Sequence, residues 1–115
     1  MNILGVGIDI ENISRFRKLP YKKYKNFYNK IFTESELKYC LSKKDPYPHF
    51  AARFSVKEAV IKALSKPVMP KDIEVIRKPN AVNVRIKNRK DLIIFASLSH
   101  AGKYSAAIVI SVRSD

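Results

Sequence analysis

One cysteine, Cys40, is the only thiol the chain has, so an internal disulfide and a multi-cysteine metal site are both excluded. Leu37 and Leu41 share its side of a helical pattern, and a buried structural thiol is the expected role. Long apolar runs are missing as well, because none approaches the ~18 residues of a membrane span. There is no charged-then-apolar leader with a small-residue cleavage site, and a cytoplasmic protein with no membrane partner is expected. Acids are scarce, with Asp+Glu 10 against Lys+Arg 23 and a formal net charge of +13. An acidic partner follows from that imbalance, but net charge speaks to steering and not to identity. Nucleic acid, an anionic membrane, an acidic protein and a phosphorylated small molecule all satisfy it, and part of the lysine excess serves solubility alone. Repeats, low-complexity tracts and composition breaks are lacking too, so the 115 residues read as one domain.

A hydrophobic fraction of 46% supplies a core. In a chain this small much apolar surface stays uncovered, which makes association with copies of itself an open possibility. Ile3-Leu4-Gly5-Val6-Gly7-Ile8-Asp9 reads as a strand ended by an acid, and glycines at alternate positions leave one of its faces bare for close packing. From Glu11 to Lys30, basic residues alternate with aromatic and aliphatic ones, giving two short helices broken at Pro20. Thr33 with Glu36 three residues on is a capping box that starts a third helix. Lys43 to Pro48 is a loop, and a long helix then runs from near Tyr47 or His49 to near Ser65, ahead of Pro67. Beyond it the period changes to two. Ile73 to Ile76, Val82 to Ile86, Leu92 to Ser99 and Tyr104 to Val112 read as strands, the last two joined by a turn at Ala101-Gly102. The class is α+β, with helices, including one long central helix, packed on an antiparallel β-sheet.

Glu58 and Lys62 stand one turn apart on the long helix. Such a pair is commonly a surface ion pair of about 0.2–0.5 kcal/mol. Here Ala52, Phe54, Val56, Ala59, Val60, Ile61, Ala63 and Leu64 wrap the helix in apolar surface, leaving the two charges little solvated face, and a metal or a phosphate would partner them. Two roles stand for Asp9: N-cap of the helix that follows, or one of two carboxylates that, with Glu58, hold Mg2+ against phosphate oxygens. His100, after Ser97-Leu98-Ser99, is either a turn residue bonding its own backbone or a hydrogen-bond donor to a phosphate. His49, in the Pro-rich turn before the long helix, has the weaker claim.

Three segments carry a resemblance: Gly5-Val6-Gly7-Ile8-Asp9-Ile10, then Arg53-Phe54-Ser55-Val56-Lys57-Glu58-Ala59 with Lys62-Ala63, then Ser97-Leu98-Ser99-His100 with Tyr104-Ser105-Ala106-Ala107. In this order and spacing the chain resembles the 4′-phosphopantetheinyl transferase superfamily, in its short bacterial acyl-carrier-protein synthase branch. Phe32 to Leu37 is similar to that branch's helix start. The resemblance implies transfer of 4′-phosphopantetheine from coenzyme A to a serine of apo-acyl carrier protein, releasing adenosine 3′,5′-bisphosphate with the help of Mg2+. It implies Asp9 and Glu58 as metal ligands, Lys62 as a catalytic and phosphate-contacting lysine, and His100, Arg53 and Ser65 as coenzyme A contacts. It implies Arg15, Lys22, Lys25 and Phe27 as the surface that grips an acidic carrier protein, and a homotrimer with active sites between subunits.

The chain departs from the pattern in its loops. Ala63-Leu64-Ser65-Lys66-Pro67 stands where relatives carry a Gly-containing loop, and Lys78-Pro79-Asn80-Ala81-Val82 replaces a Gly-Lys-Pro turn. The stretch from there to Leu92 has no room for the extra helix of some relatives. Two other functions compete. A nucleic-acid-binding module would use Lys22, Lys23 and Lys25 for phosphates and Tyr21, Tyr24, Phe27 and Tyr28 for stacking, although aromatics at helical spacing usually belong to a core. A non-catalytic relative would bind coenzyme A or the carrier protein without transfer.

Overall fold

Ten residues, Ile3–Asn12, form strand β1. In the computed structural model, which describes residues 2–114, helices α1 (Ile13–Arg17), α2 (Lys25–Ile31), α3 (Glu34–Leu41) and α4 (Tyr47–Ala63) follow. A 3-10 turn at Pro70–Asp72 then leads into β2 (Ile73–Lys78), β3 (Ala81–Ile86), β4 (Leu92–Ala101) and β5 (Tyr104–Arg113). The strands make one antiparallel sheet in the order β1-β5-β4-β3-β2. The first strand and the last are therefore neighbours, and α4 crosses their inner face.

That crossing is set by the bare face of β1. A Cβ on Gly5 would stand 2.2 Å from the carbonyl oxygen of Ala63, and one on Gly7 would stand 1.8 Å from that of Ala59. Helix backbone and strand backbone touch here, with only alanines on the helix side. Ser111 adds a hydrogen bond, its hydroxyl donating to the carbonyl of Ala63 at 2.7 Å. Because side chains alternate along a strand, Asp9 and Glu11 point to the same face as the glycines, and both come to lie beside the helix.

Helix α4 begins at prolines, Pro46 at its N-cap and Pro48 in its first turn, where a missing N–H costs nothing. It ends at Ala63, two residues short of Ser65, because Leu64 is already extended. His49 thus belongs to the first turn of the helix and not to the turn before it. Asp9 does not cap α1. The β1–β5 ladder runs on to Asn12 opposite Tyr104, so Asp9 stays within the sheet and Asn12 caps instead, accepting from the N–H of Ser14 at 3.0 Å. The capping box of α3 forms as the sequence predicts, with Thr33 and Glu36 bonding each other's backbone N–H.

Two cores result. Phe16, Tyr28, Phe32, Phe50 and Phe54 pack the helices together, and Val56, Ala59, Val60 and Ala63 seal α4 onto Ile73, Val75, Ala107 and Val109. Each buried large apolar side chain contributes roughly 1.5–3 kcal/mol. Cys40 is buried in the first core and its thiol is pushed up to about 11 by burial, which makes it inert. Leu41 is not its companion there; it is exposed. Tyr28 is fully buried and donates its hydroxyl to the carbonyl of Leu19 at 2.6 Å, and Tyr21 and Phe27 pack against the same core, so of the aromatics a base-stacking surface would use only Tyr24 stands exposed. The tight turn between β4 and β5 is Gly102-Lys103, one residue later than expected, and Gly102 takes a positive φ of 57° there.

Among the described residues nothing covers the outer face of the sheet. Val6, Ile8 and Ile10 of β1, Ile108 of β5 and Phe95 of β4 are all exposed on it. In register, Ile8 lies beside Ile108, while Val6 and Phe95 flank Ile110. The result is a continuous apolar surface.

Candidate active site at the crossing of the first strand and the long helix

Where β1 leaves the glycines behind, α4 presents Glu58 and Lys62 to Asp9. The Lys62 ammonium donates to the carbonyl of Ile8 at 2.9 Å and lies 3.4 Å from Asp9 Oδ1. Lys62 is not short of solvent: its side chain is 55% exposed, while that of Asp9 is 12% exposed. The pair is therefore worth at most about 1 kcal/mol, and Lys62 is free to swing toward a ligand. Asp9 Oδ2 is buried and has no hydrogen-bond partner among the described residues.

The acids disturb one another. Burial raises the Glu58 carboxyl above the ordinary carboxylate range and the charge of Asp9 raises it further, against Lys62 and Arg15. Glu11, one pleat beyond Asp9, is pushed up to about 7 by burial and then by the neighbouring Asp9 carboxylate, with Arg15 opposing. Arg15 holds Glu11 at 3.2 Å. Glu11 escaped the reading of the sequence, yet the signal was there: the Gly-x-Gly alternation of β1 continues as Asp-x-Glu, on the same face.

An unpartnered buried carboxylate oxygen beside two acids whose pKa values are raised is what a divalent cation would relieve. Among the described residues no three His, Cys, Asp or Glu side chains already form a closed metal cage. Mg2+ needs none, since it takes one or two carboxylates and fills its shell with water and phosphate oxygens. The donor set fits that ion.

His100 is a strand residue, not a turn residue. It pairs across the sheet with Ser105, and Ser105 pairs with Glu11, so two strand spacings, about 10 Å, separate His100 from Glu11. His100, His49, Arg77, Ser105 and Ile13 line a cavity of about 210 Å3. His49 therefore joins His100, with its imidazole pKa lowered by burial and then by Arg53, Lys43 and Arg77. Ser97 and Ser99 alternate with it onto the outer face.

Two further candidates lie elsewhere on the single chain. Arg53 is buried, stacks 4.5 Å over the ring of Tyr39, and lines a cavity of about 400 Å3 with Arg77, Glu74 and Arg85. Its Nε has no partner among the described residues. Ser65 lies beyond the end of α4, in a cavity of about 330 Å3 with Leu4, Lys66 and Arg113. Of the carrier-protein candidates, Arg15, Lys22 and Lys25 are exposed on the helical end of the molecule, and Phe27 is half-buried against Phe16 and Tyr28.

The fold and the site define a small α+β domain whose anionic centre, flanked by an exposed lysine and a histidine-lined cavity, suits a cation and a phosphorylated ligand. Residues 5–109 match the family model of the 4′-phosphopantetheinyl transferase superfamily. The chain is 44% identical to the holo-[acyl-carrier-protein] synthase of Thermodesulfovibrio yellowstonii, covering 94% of this chain and 97% of that one. It is 41% identical to that of Chlamydia caviae, over 97% and 99%. Among solved structures, a holo-(acyl-carrier-protein) synthase from Bacillus anthracis in complex with CoA (3′,5′-ADP) superposes with a TM-score of 0.83 at 28% identity, covering 97% and 98% of the two chains. The Helicobacter pylori enzyme in complex with coenzyme A gives 0.79 at 27% identity, over 93% and 99%. This chain belongs to the 4′-phosphopantetheinyl transferase superfamily.

Proposed function

We propose that the chain transfers 4′-phosphopantetheine from coenzyme A to a serine hydroxyl of apo-acyl carrier protein. The serine oxygen forms a bond to the β-phosphorus, the bond from that phosphorus to the departing phosphate breaks, and adenosine 3′,5′-bisphosphate leaves. The observation that carries this reading is the contact of Lys62 with Asp9 across the β1–α4 crossing, with Glu58 one turn before Lys62 on the same helix and raised by the charge of Asp9. Asp9 and Glu58, with Glu11 adjacent, would hold Mg2+. When bound, that ion supplies neutralisation of the diphosphate and of the charge building on the leaving phosphate.

The chain's own groups do the rest. Lys62 brings a second positive charge to the phosphates from an exposed, unhindered stem. Glu58, raised by burial and by Asp9, has a basicity suited to taking the serine proton, either directly or through water. His100 and His49 offer ring N–H donors to a polar arm of coenzyme A. Arg53 and Ser65 sit in cavities apart from the acids in one chain, and they reach a shared coenzyme A when a neighbouring copy completes the site. A homotrimer closed over the apolar outer sheet face, with Ile8, Ile10, Phe95 and Ile108 buried between copies, agrees with that arrangement.

The test is mass spectrometry of an apo-carrier protein incubated with the chain, coenzyme A and Mg2+. The expected result is a carrier protein heavier by one phosphopantetheine, and no gain when a chelator is added. An unmodified carrier protein refutes the transferase and leaves the binding-only relative.

The basic surface gives a separate expectation. Arg15 is tied to Glu11, so its reversal would disturb the acids as well; Lys22 and Lys25 carry no such tie. Lys22→Glu with Lys25→Glu should raise KM for the carrier protein about 10-fold, the scale of 1.4 kcal/mol, and leave kcat near wild type. The wild-type KM should itself climb with salt. A KM indifferent to both changes contradicts this docking face.

A further inference from the structure

Lys57 precedes Glu58 in the chain, faces away from the acidic centre and has no exposed side-chain surface at all. Its ammonium lies 2.7 Å from Glu36 Oε1 and donates to the carbonyls of Ile31 at 2.9 Å, Pro70 at 3.0 Å, and Ile73. Glu36 in turn accepts from the backbone N–H of Thr33 and of Val75, each at 2.8 Å. Burial lowers the ammonium's pKa, with Glu36 opposing; the four acceptors facing one nitrogen are the partners a buried ammonium needs. One side chain thereby ties the middle of α4 to the end of α2, the cap of α3, the 3-10 turn and the start of β2.

Stability is a poor reason for such a cluster, because replacing a buried ion pair with apolar residues of like volume is often neutral or better. What it supplies is position. On another face of α4 the carbonyls of Ala59 and Ala63 rest on Gly7 and Gly5, which sets the helix's distance from β1, and Val56, Ala59, Val60 and Ala63 pack it on the sheet. Lys57 adds directional polar ties, which resist a small roll of the helix more sharply than apolar contacts do. A carboxylate about 6 Å from a helix axis moves roughly 1 Å for a roll of 10°, and a 1 Å misplacement in an active site costs up to about 10²-fold.

We propose that Lys57 is a positioning residue, holding the roll of α4 so that Glu58 faces Asp9. The proposal rests on the transferase reading of that site. It is tested with Lys57→Met and with Lys57→Met/Glu36→Gln, the second removing the buried carboxylate charge that the first leaves unpaired. Four quantities are read: melting temperature, Mn2+ dissociation constant by electron paramagnetic resonance, kcat, and KM for carrier protein. In both variants kcat should fall by about 10-fold or more and Mn2+ should bind several-fold more weakly, with KM for carrier protein unchanged. The double variant should recover melting temperature without recovering kcat or Mn2+ affinity, because the ties to Ile31, Pro70 and Ile73 are still gone. Wild-type kcat and Mn2+ affinity in Lys57→Met overturn the proposal, as does recovery of both together with melting temperature in the double variant. Where Lys57→Met does not fold, the double variant decides. A wild-type chain that transfers nothing refutes the function instead, and its Mn2+ affinity against that of the variants still reads the placement of Glu58.

Discussion

Asp9→Asn and Glu58→Gln should each lower the rate of transfer by about 10²-fold or more, the scale of losing one transition-state stabiliser, while the fold becomes no less stable. The two effects have one cause. Asp9 Oδ2 is buried without a partner, and Glu58 is pushed above its ordinary range by burial and by Asp9. Without a cation, these charges work against the fold. A carboxylate whose pKa is raised on folding contributes stability below its unfolded pKa and loses it as pH rises through the folded value. At neutral pH Glu58→Gln removes that liability and Asp9→Asn takes away the neighbouring charge that adds to it, so melting temperature should hold or rise as activity falls. Loss of function together with a gain in stability marks a site held in strain for its chemistry. Mg2+ should raise the melting temperature of the wild type by mass action and do so much less in either variant. If both acids serve the same ion, Asp9→Asn/Glu58→Gln should be scarcely slower than either single change. Near-normal transfer by a single variant, measured with saturating coenzyme A, would remove that residue from the site.

The α+β class, the long helix, the later strands and the capping box of α3 were all readable, because each rests on local periodicity or on a capping pattern three residues long. The bare face of β1 was readable for the same reason, since two glycines at alternate strand positions announce a close neighbour. The two lysines of α4 were not. The sequence suggests that Lys62 lacks solvent and says nothing of Lys57, and the structure reverses this: Lys57 has no exposed side-chain surface and Lys62 is 55% exposed. Periodicity could not decide between them on a helix packed on nearly every side. The acceptors that make a buried ammonium tolerable come from Glu36 and from the backbone carbonyls of Ile31, Pro70 and Ile73, which lie between 13 and 26 residues from position 57 in sequence. The capping role considered for Asp9 failed because pairing with β5 extends β1 to Asn12, and strand pairing across the whole chain is invisible to a local reading. Arg53 and Ser65 illustrate a different limit. The resemblance implies both as coenzyme A contacts, and within one chain the fold sets them in separate cavities.

Gly7→Ala should be the most damaging single methyl group in the protein. Its Cβ would lie 1.8 Å from the Ala59 carbonyl oxygen and 2.8 Å from its carbon. Both are backbone atoms, and no rotamer change can move them aside. Either α4 retreats from β1, opening the contact that Val56, Ala59, Val60 and Ala63 make with the sheet, or β1 shifts against β5 and strains its ladder. Overpacking of this kind costs about 3 kcal/mol or more, which for a domain of this size lowers Tm by roughly 10 °C or more. Gly102→Ala provides the contrast. A Cβ there meets nothing within 4 Å, but its φ of 57° is unfavourable to a side chain, so the cost is only about 1–2 kcal/mol. Transfer separates the two more sharply than melting does. Gly102 sits in the β4–β5 turn, past the Asn12–Tyr104 end of the ladder and well beyond Ala107, the partner of Asp9, and its variant should keep near wild-type kcat below its melting temperature. Gly7 sits one pleat before Asp9, under the residue that follows Glu58. A helix pushed off the strand carries Glu58 away from Asp9, so at temperatures where Gly7→Ala is still folded its Mg2+-dependent rate should fall by about 10-fold or more. A Gly7→Ala protein that is stable and fully active would mean that the close approach of α4 to β1 is not what brings the two acids together.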